Sequence, residues 1–217
     1  MLKVFYLKMS EISSEDIFKL RKKSNVETLK EADLCKSKKV VLTKLLKDVI
    51  LTKLLFELKG LKKQDYIISL GKHGKPSLNI PFYFNISHSK DYWACAFSDH
   101  KVGFDIEKIA KARMEVAKRF FHINEIESLK KIFGKEQDEK FFELWASKES
   151  FIKYTGSGLS RSLASFEIVG NKIKDGDKYL NLFLKSCVID PAYKSYITTE
   201  LFSESLEVLK LNLSDII

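Results

Sequence analysis

Three prolines and three cysteines are all that this 217-residue chain carries of either residue. So little proline, beside a hydrophobic content of 45%, argues against a disordered or linker-like chain. Cys35, Cys95 and Cys187 are odd in number and widely scattered. They show neither zinc-ligand spacing nor a disulfide framework, so a reducing, cytoplasmic setting is the expectation. Long apolar runs are missing too. The opening residues 1–8 are interrupted by lysines and too short for a signal core, and no stretch approaches the roughly 18 apolar residues of a membrane span. What the chain has in excess is positive charge, a formal +9. That suits an anionic partner without choosing among nucleic acid, a nucleotide-like cofactor and an acidic protein. Many lysines, among them Lys36, Lys38, Lys39, Lys44 and Lys47, fall in an N-terminal helical stretch and read first as a solvated face.

The length allows one domain or two small ones with a substantial core. Residues 4–9 read as a strand, residues 15–22 and about 26–59 as helices, the second broken near Ser37. Strands are expected at 66–70, 83–88, 93–98 and 102–107, then helices at 111–121, 123–133 and 138–154. Strands at 166–169, 178–185, 194–199 and 206–210 close the chain. Periodicity thus predicts mixed α and β, with no literal repeat and a division near Asp99-His100-Lys101.

Val102-Gly103-Phe104-Asp105-Ile106-Glu107 alternates apolar residues with two acids, the period of a half-buried strand. Asp105 and Glu107 then share a face, about 6–7 Å apart along the strand. Like charges held so close repel unless a cation lies between them, and Mg²⁺ suits such a pair, completing its shell with water and phosphate oxygens. The plain alternative is a solvated strand face. A helical segment, Phe141-Phe142-Glu143-Leu144-Trp145-Ala146-Ser147-Lys148-Glu149-Ser150-Phe151-Ile152-Lys153, offers Glu149 as a third carboxylate and two lysines for phosphate. Its plain alternative is an i,i+4 Glu–Lys pair in water. Gly156 and Gly158 then stop the helix. Upstream, Phe84-Asn85-Ile86-Ser87-His88-Ser89 follows a turn-rich stretch containing Lys72 and Lys75. Serine hydroxyls, His88 and Lys75 make a candidate phosphate grip, although a lone strand histidine is more often a core residue.

In order and spacing these blocks resemble the 4'-phosphopantetheinyl transferases, specifically the surfactin-synthetase-activating type. Lys75-Pro76 with residues 84–89, then 102–107, then 145–153 carry the resemblance. Ala117-Lys118-Arg119-Phe120-Phe121 with Glu125, and Gly158-Leu159-Ser160, add to it. The match spans about residues 75–166. It implies an α+β fold of two pseudo-twofold-related halves, residues 1–100 and 101–217, with the active site between them. It implies transfer of the phosphopantetheine arm of coenzyme A to a serine of an acyl-carrier or peptidyl-carrier protein of fatty-acid, polyketide or nonribosomal-peptide synthesis. Adenosine 3',5'-bisphosphate would leave. By the same resemblance Asp105, Glu107 and Glu149 hold Mg²⁺, Lys153 contacts the pyrophosphate with Lys148 beside it, and Glu125 accepts the serine proton. Lys75, Ser87 and His88 hold the adenosine end. A monomer is the implied state, with neither nucleic acid nor membrane as partner.

One departure stands out. Family members commonly carry an Arg before a Leu-Leu pair in the long N-terminal helix, and here the sequence is Thr43-Lys44-Leu45-Leu46. Lysine is a point charge without arginine's bidentate fork, so Lys44, Lys39 or Lys30 is the expected substitute at the 3'-phosphate. Two rival functions remain open from sequence. A metal-dependent phosphodiester hydrolase also needs clustered acids with lysines, but no histidine adjoins these acids. A basic nucleic-acid-binding module would leave the three acids without purpose.

Overall fold

The computed structural model describes residues 1–201 and 203–217, with the backbone alone described at Leu159. The chain is α+β. Its first sheet holds β1 (Leu2–Lys8), β4 (Tyr83–Ser89), β5 (Tyr92–Ser98) and β11 (Leu206–Lys210), in the order β11-β1-β5-β4. The second holds β6 (Val102–Lys108), β7 (Phe166–Val169), β8 (Lys172–Asp175), β9 (Lys178–Ser186) and β10 (Tyr193–Thr199), in the order β6-β10-β9-β8-β7. The chain leaves the first sheet after β5 and enters the second at β6. Near its end β11 returns and pairs parallel with β1, Val4 opposite Val208.

Helices α1 (Ser14–Lys23), α2 (Val26–Asp33) and α3 (Lys38–Lys59) cover one face of the first sheet. The expected break near Ser37 is present, because Ser37 caps α3 through the N–H of Val40. Asn25 caps α2 and also donates its backbone N–H to Asp48 of α3 at 2.7 Å, which fixes the two helices to each other. Strand β5 is buried on both faces. Trp93, Cys95 and Phe97 pack toward Leu45, Leu46 and Ile50 of α3. On its other face Ala94 and Ala96 meet Val102, Phe104 and Ile106 of β6. Full burial of one such Leu, Ile or Phe stabilises by about 1.5–3 kcal/mol. The alternation on β6 therefore turns Gly103, Asp105 and Glu107 the opposite way, toward the last helix.

That helix is α6 (Gly134–Thr155), preceded by α4 (Met114–Phe120) and α5 (Ile123–Leu129). It ends at Gly156, whose φ of 73° is a left-handed stop that suits glycine. It starts four residues earlier than its periodicity suggests, and the Gln137 amide ties it to the carbonyls of Leu129 and Ile132, both at 2.9 Å. Two strands escaped the sequence reading. The first, β3 (Pro76–Leu78), forms a small hairpin with β2 (Ile68–Leu70), and the second is β8. Runs of three or four residues are too short to show a period, and β8 buries only Ile173.

Candidate active site

Gly103 sets the distance between β6 and α6. A Cβ there would lie 2.0 Å from the Ser150 carbonyl oxygen and 2.4 Å from the Tyr154 nitrogen, both backbone atoms of α6. Only glycine lets the helix lie this close. Glu149 and Lys153, one turn apart on α6, are thereby held over Asp105 and Glu107. The Lys153 ammonium donates to Asp105 Oδ1 at 2.6 Å and to Ser87 Oγ at 2.8 Å. Asp105 is 3% exposed, and its Oδ2 is buried with no hydrogen-bond partner. Burial, then the charge of Asp105, raises the pKa of both Glu107 and Glu149. Three carboxylates thus feel one another around a single bound ammonium, and one buried oxygen lacks a partner. Such a set fits a hard divalent cation, whose charge would relieve the repulsion. Among the described residues no three acids or histidines are drawn together as a finished cage. Mg²⁺ needs none, since one or two carboxylates with water and phosphate oxygens complete its shell.

Beside this cluster lies a cleft of about 480 Å³. Its wall carries Lys44 and Lys47 from α3, His73 and Lys75 from the β2–β3 hairpin, His88 from β4, and Glu149, Lys153 and Arg161 from the second half. Among the described lining residues Glu149 is the one carboxylate beside five Lys and Arg side chains, so the cleft favours a polyanion. His88 is at the surface of this wall. Partial burial, then the charges of Lys39 and Lys153, lowers its pKa, so at neutral pH it is an uncharged hydrogen-bonding group. The Lys75 ammonium donates to the carbonyls of Val102, Lys153 and Tyr154 at 3.2, 2.5 and 3.5 Å. It therefore caps the C-terminal end of α6. Burial, with the neighbouring charges of Lys101 and Lys153, pushes its pKa down to about 8. Lys44 pairs with Glu31 at 2.5 Å while facing the cleft.

Three residues singled out from sequence stand elsewhere. Ser87 is 6% exposed and donates its hydroxyl proton to Asp105 at 2.8 Å, so it serves the acid instead of the cleft. Glu125 and Lys148 are sealed together away from the cleft wall, at 3% and 0% exposure, with Oε2 and Nζ 2.9 Å apart. Glu125 also accepts from the backbone of His122 at 2.8 Å and of Ile168 at 2.7 Å. Lys148 also donates to the carbonyls of Leu163 and Phe166 and lies over the Phe166 ring. Burial lowers the pKa of Lys148 against the opposing pull of Glu125. The pair is a pin between α5, α6 and the start of β7, with Glu125 buried from solvent. Lys148 and Glu149 are adjacent in sequence and so face different sides of α6, which the motif alone does not display.

Sequence reasoning missed Lys47, Arg161 and Gly103. Arg161 sits over the rings of Phe151 and Phe166 and pairs with Asp175 at 2.8 Å. No local signal marks it, because Asp175 comes from a strand too short to be foreseen.

The model of the 4'-phosphopantetheinyl transferase superfamily matches residues 101–199. The 4'-phosphopantetheinyl transferase Sfp of Bacillus subtilis (strain 168) is 38% identical over 157 residues, covering 69% of this chain and 70% of that protein. The psf-1 transferase of Bacillus pumilus is 35% identical over 176 residues, 76% of this chain and 75% of that protein. The gsp transferase of Aneurinibacillus migulanus is 37% identical over 128 residues, 59% of this chain and about half, 54%, of that protein. The chain belongs to the 4'-phosphopantetheinyl transferase superfamily and is an enzyme of the Sfp type.

Proposed function

We propose that this enzyme moves the 4'-phosphopantetheine arm of coenzyme A onto a serine of an acyl-carrier or peptidyl-carrier protein, with adenosine 3',5'-bisphosphate as the leaving product. The observation that carries the reading is the junction of a cationic cleft with the Asp105–Glu107–Glu149 cluster, where Asp105 Oδ2 is buried without a partner. The cleft fits a ligand with several phosphates, and the cluster lies where a pyrophosphate would end against Lys153.

In this reading Asp105, Glu107 and Glu149 are the residues that would hold Mg²⁺, which when bound offsets charge on the pyrophosphate and its leaving phosphate. Lys153 screens Asp105 and turns to the pyrophosphate when the coenzyme enters. Residues 1–100 supply the adenosine and 3'-phosphate side through Lys44, Lys47 and His88, with Lys75 fixing the end of α6 beside them. Residues 101–217 supply the metal side. Glu125 keeps Lys148 in place, its oxygens engaged by Lys148 and by the backbone of His122 and Ile168. Among the described residues no helix is long and apolar enough to cross a membrane, and the reading places a monomer in the cytoplasm.

The test is to incubate the protein with coenzyme A, Mg²⁺ and an apo carrier protein and to weigh the carrier. A gain of the phosphopantetheine mass supports the transferase. Cleavage of nucleic acid without that gain supports a phosphodiester hydrolase, and salt-sensitive nucleic-acid binding alone supports a binding module. A companion measurement compares coenzyme A with dephospho-coenzyme A in His88→Ala. Losing a charge-assisted hydrogen bond to the 3'-phosphate should weaken coenzyme A by about tenfold or more while leaving the dephospho form nearly unaffected. Equal losses would remove His88 from the 3'-phosphate.

A further inference from the structure

β4 and β6 are the facing edges of the two sheets. An edge strand carries backbone N–H groups that a neighbouring strand would otherwise satisfy. Here side chains do so. Asn85 Oδ1 accepts from the N–H of Phe104 at 2.8 Å, Ser87 Oγ from Ile106 at 3.4 Å, and Ser89 Oγ from Lys108 at 3.1 Å. The offset is 19 residues each time, so the strands run parallel and every second side chain of β4 steps along β6.

Both serines do a second thing. Ser87 donates its hydroxyl proton to Asp105 Oδ1 and Ser89 donates its own to Glu107 Oε2, each at 2.8 Å. A hydroxyl has one proton and two lone pairs. Each serine therefore ties down one carboxylate and the backbone N–H that follows it, and the unit repeats two residues later. One oxygen of each acid is fixed on the seam. The other oxygen of Asp105 is the buried one with no partner.

We infer that Ser89 is a positioning residue for Glu107, acting as Ser87 does for Asp105: its hydroxyl holds the carboxylate in the orientation that admits a divalent cation between the paired acids. The inference rests on the metal reading of Asp105 and Glu107 given above. Groups that hydrogen-bond metal-ligating carboxylates commonly change metal affinity by about 10–100-fold when removed. A serine that merely closed the seam between sheets would change stability and leave the metal alone.

Mn²⁺ is the probe, titrated against the full chain without carrier protein and followed by its electron paramagnetic resonance signal. Ser89→Ala should weaken Mn²⁺ by about 10–100-fold, and Ser89→Thr, which keeps the hydroxyl, should bind as the parent protein does. In the transfer assay Ser89→Ala should raise the Mg²⁺ concentration for half-maximal rate by a similar factor. The KM for coenzyme A should stay unchanged, and saturating Mg²⁺ should restore most of the maximal rate. Should Ser89→Ala fail to fold, Ser89→Cys keeps the side-chain size with a weaker donor and carries the same expectation. Unchanged Mn²⁺ affinity in the hydroxyl-lacking variant, or equal loss in Ser89→Thr, overturns the role of Ser89. Asp105→Asn separates the two levels. If it leaves Mn²⁺ binding untouched, the metal reading itself fails. If it abolishes binding while Ser89→Ala does not alter it, Ser89 alone is at fault.

Discussion

Gly103→Ala adds one methyl group where β6 meets α6. Its carbon would lie 2.0 Å from the Ser150 oxygen, 2.4 Å from the Tyr154 nitrogen and 2.7 Å from the Tyr154 Cα, against an ordinary contact of 3.4–4 Å. All three are backbone atoms, so no side chain can rotate away. The helix must withdraw by more than 1 Å, the difference between the first contact and the shortest ordinary one. The 2.6 Å bond from Lys153 to Asp105 spans the same gap and would open. Overpacking of this kind costs about 1–3 kcal/mol, and backbone against backbone puts it at the upper end. In a chain of this size, about 3 kcal/mol lowers Tm by roughly 6–12 °C. A displacement of about 1 Å between groups that act together lowers turnover on the order of 100-fold. Gly60→Ala is the control. Its φ of 69° strains an alanine, but nothing lies within 4 Å of the added carbon. It should lose about 1 kcal/mol and keep full turnover. Thermal melts and the carrier-mass assay read both variants. Gly103→Ala with unchanged Tm and turnover would refute the close approach of β6 and α6.

Four other outcomes are expected. Asp105→Ala and Glu149→Ala should each abolish transfer with the fold retained by circular dichroism, and near-normal turnover at saturating Mg²⁺ would remove that residue from the proposed metal set. Glu125→Gln and Lys148→Met each leave a buried partner uncompensated, so each should cost about 3–5 kcal/mol in denaturant unfolding. Glu125→Gln with normal stability but lost turnover would instead restore Glu125 as a proton acceptor. For Lys75, the folded pKa of about 8 lies below the ordinary 10.5, so between those values the unfolded chain binds more protons and this group makes stability rise with pH. The gain is bounded at about 3 kcal/mol, and Lys75→Met should lose it in unfolding curves from pH 7.5 to 10.5, whereas parallel curves would contradict the shift. Raising salt should raise the KM for the carrier while barely changing the maximal rate at saturating coenzyme A, because exposed charge is screened over about 10 Å at 0.1 M. A flat KM would make docking mainly apolar.

The sequence made the acids legible and left their supports hidden, for a physical reason. Asp105 and Glu107 announce themselves because strand period is local, two residues, and their apolar alternates Phe104 and Ile106 are both fully buried. Most strand and helix positions were legible on the same ground. Glu149 and Lys153 are legible as one turn of a helix. What a helix does not print is which neighbour each face meets. Lys148 looked like a phosphate ligand by adjacency to Glu149, yet it points to the pin with Glu125, a partner 23 residues away that no spacing rule connects to it. The same holds along β4. Asn85, Ser87 and Ser89 alternate as plainly as the acids do, but the alternation states only that they share a face. That the face is a seam, with β6 displaced by a constant 19 residues, depends on β6 packing against β5, the strand next to β4. Ser87 therefore read as a phosphate grip when its proton belongs to Asp105. Gly103 was passed over for a related reason: a glycine inside a strand pattern signals close approach by something, and only the packing shows that the something is the helix bearing Glu149 and Lys153. The acids and lysines of the proposed site were legible by type and period, while the residues that hold them in place act across long sequence separations. The latter are where substitutions should disturb binding at the proposed metal and coenzyme sites without touching either ligand.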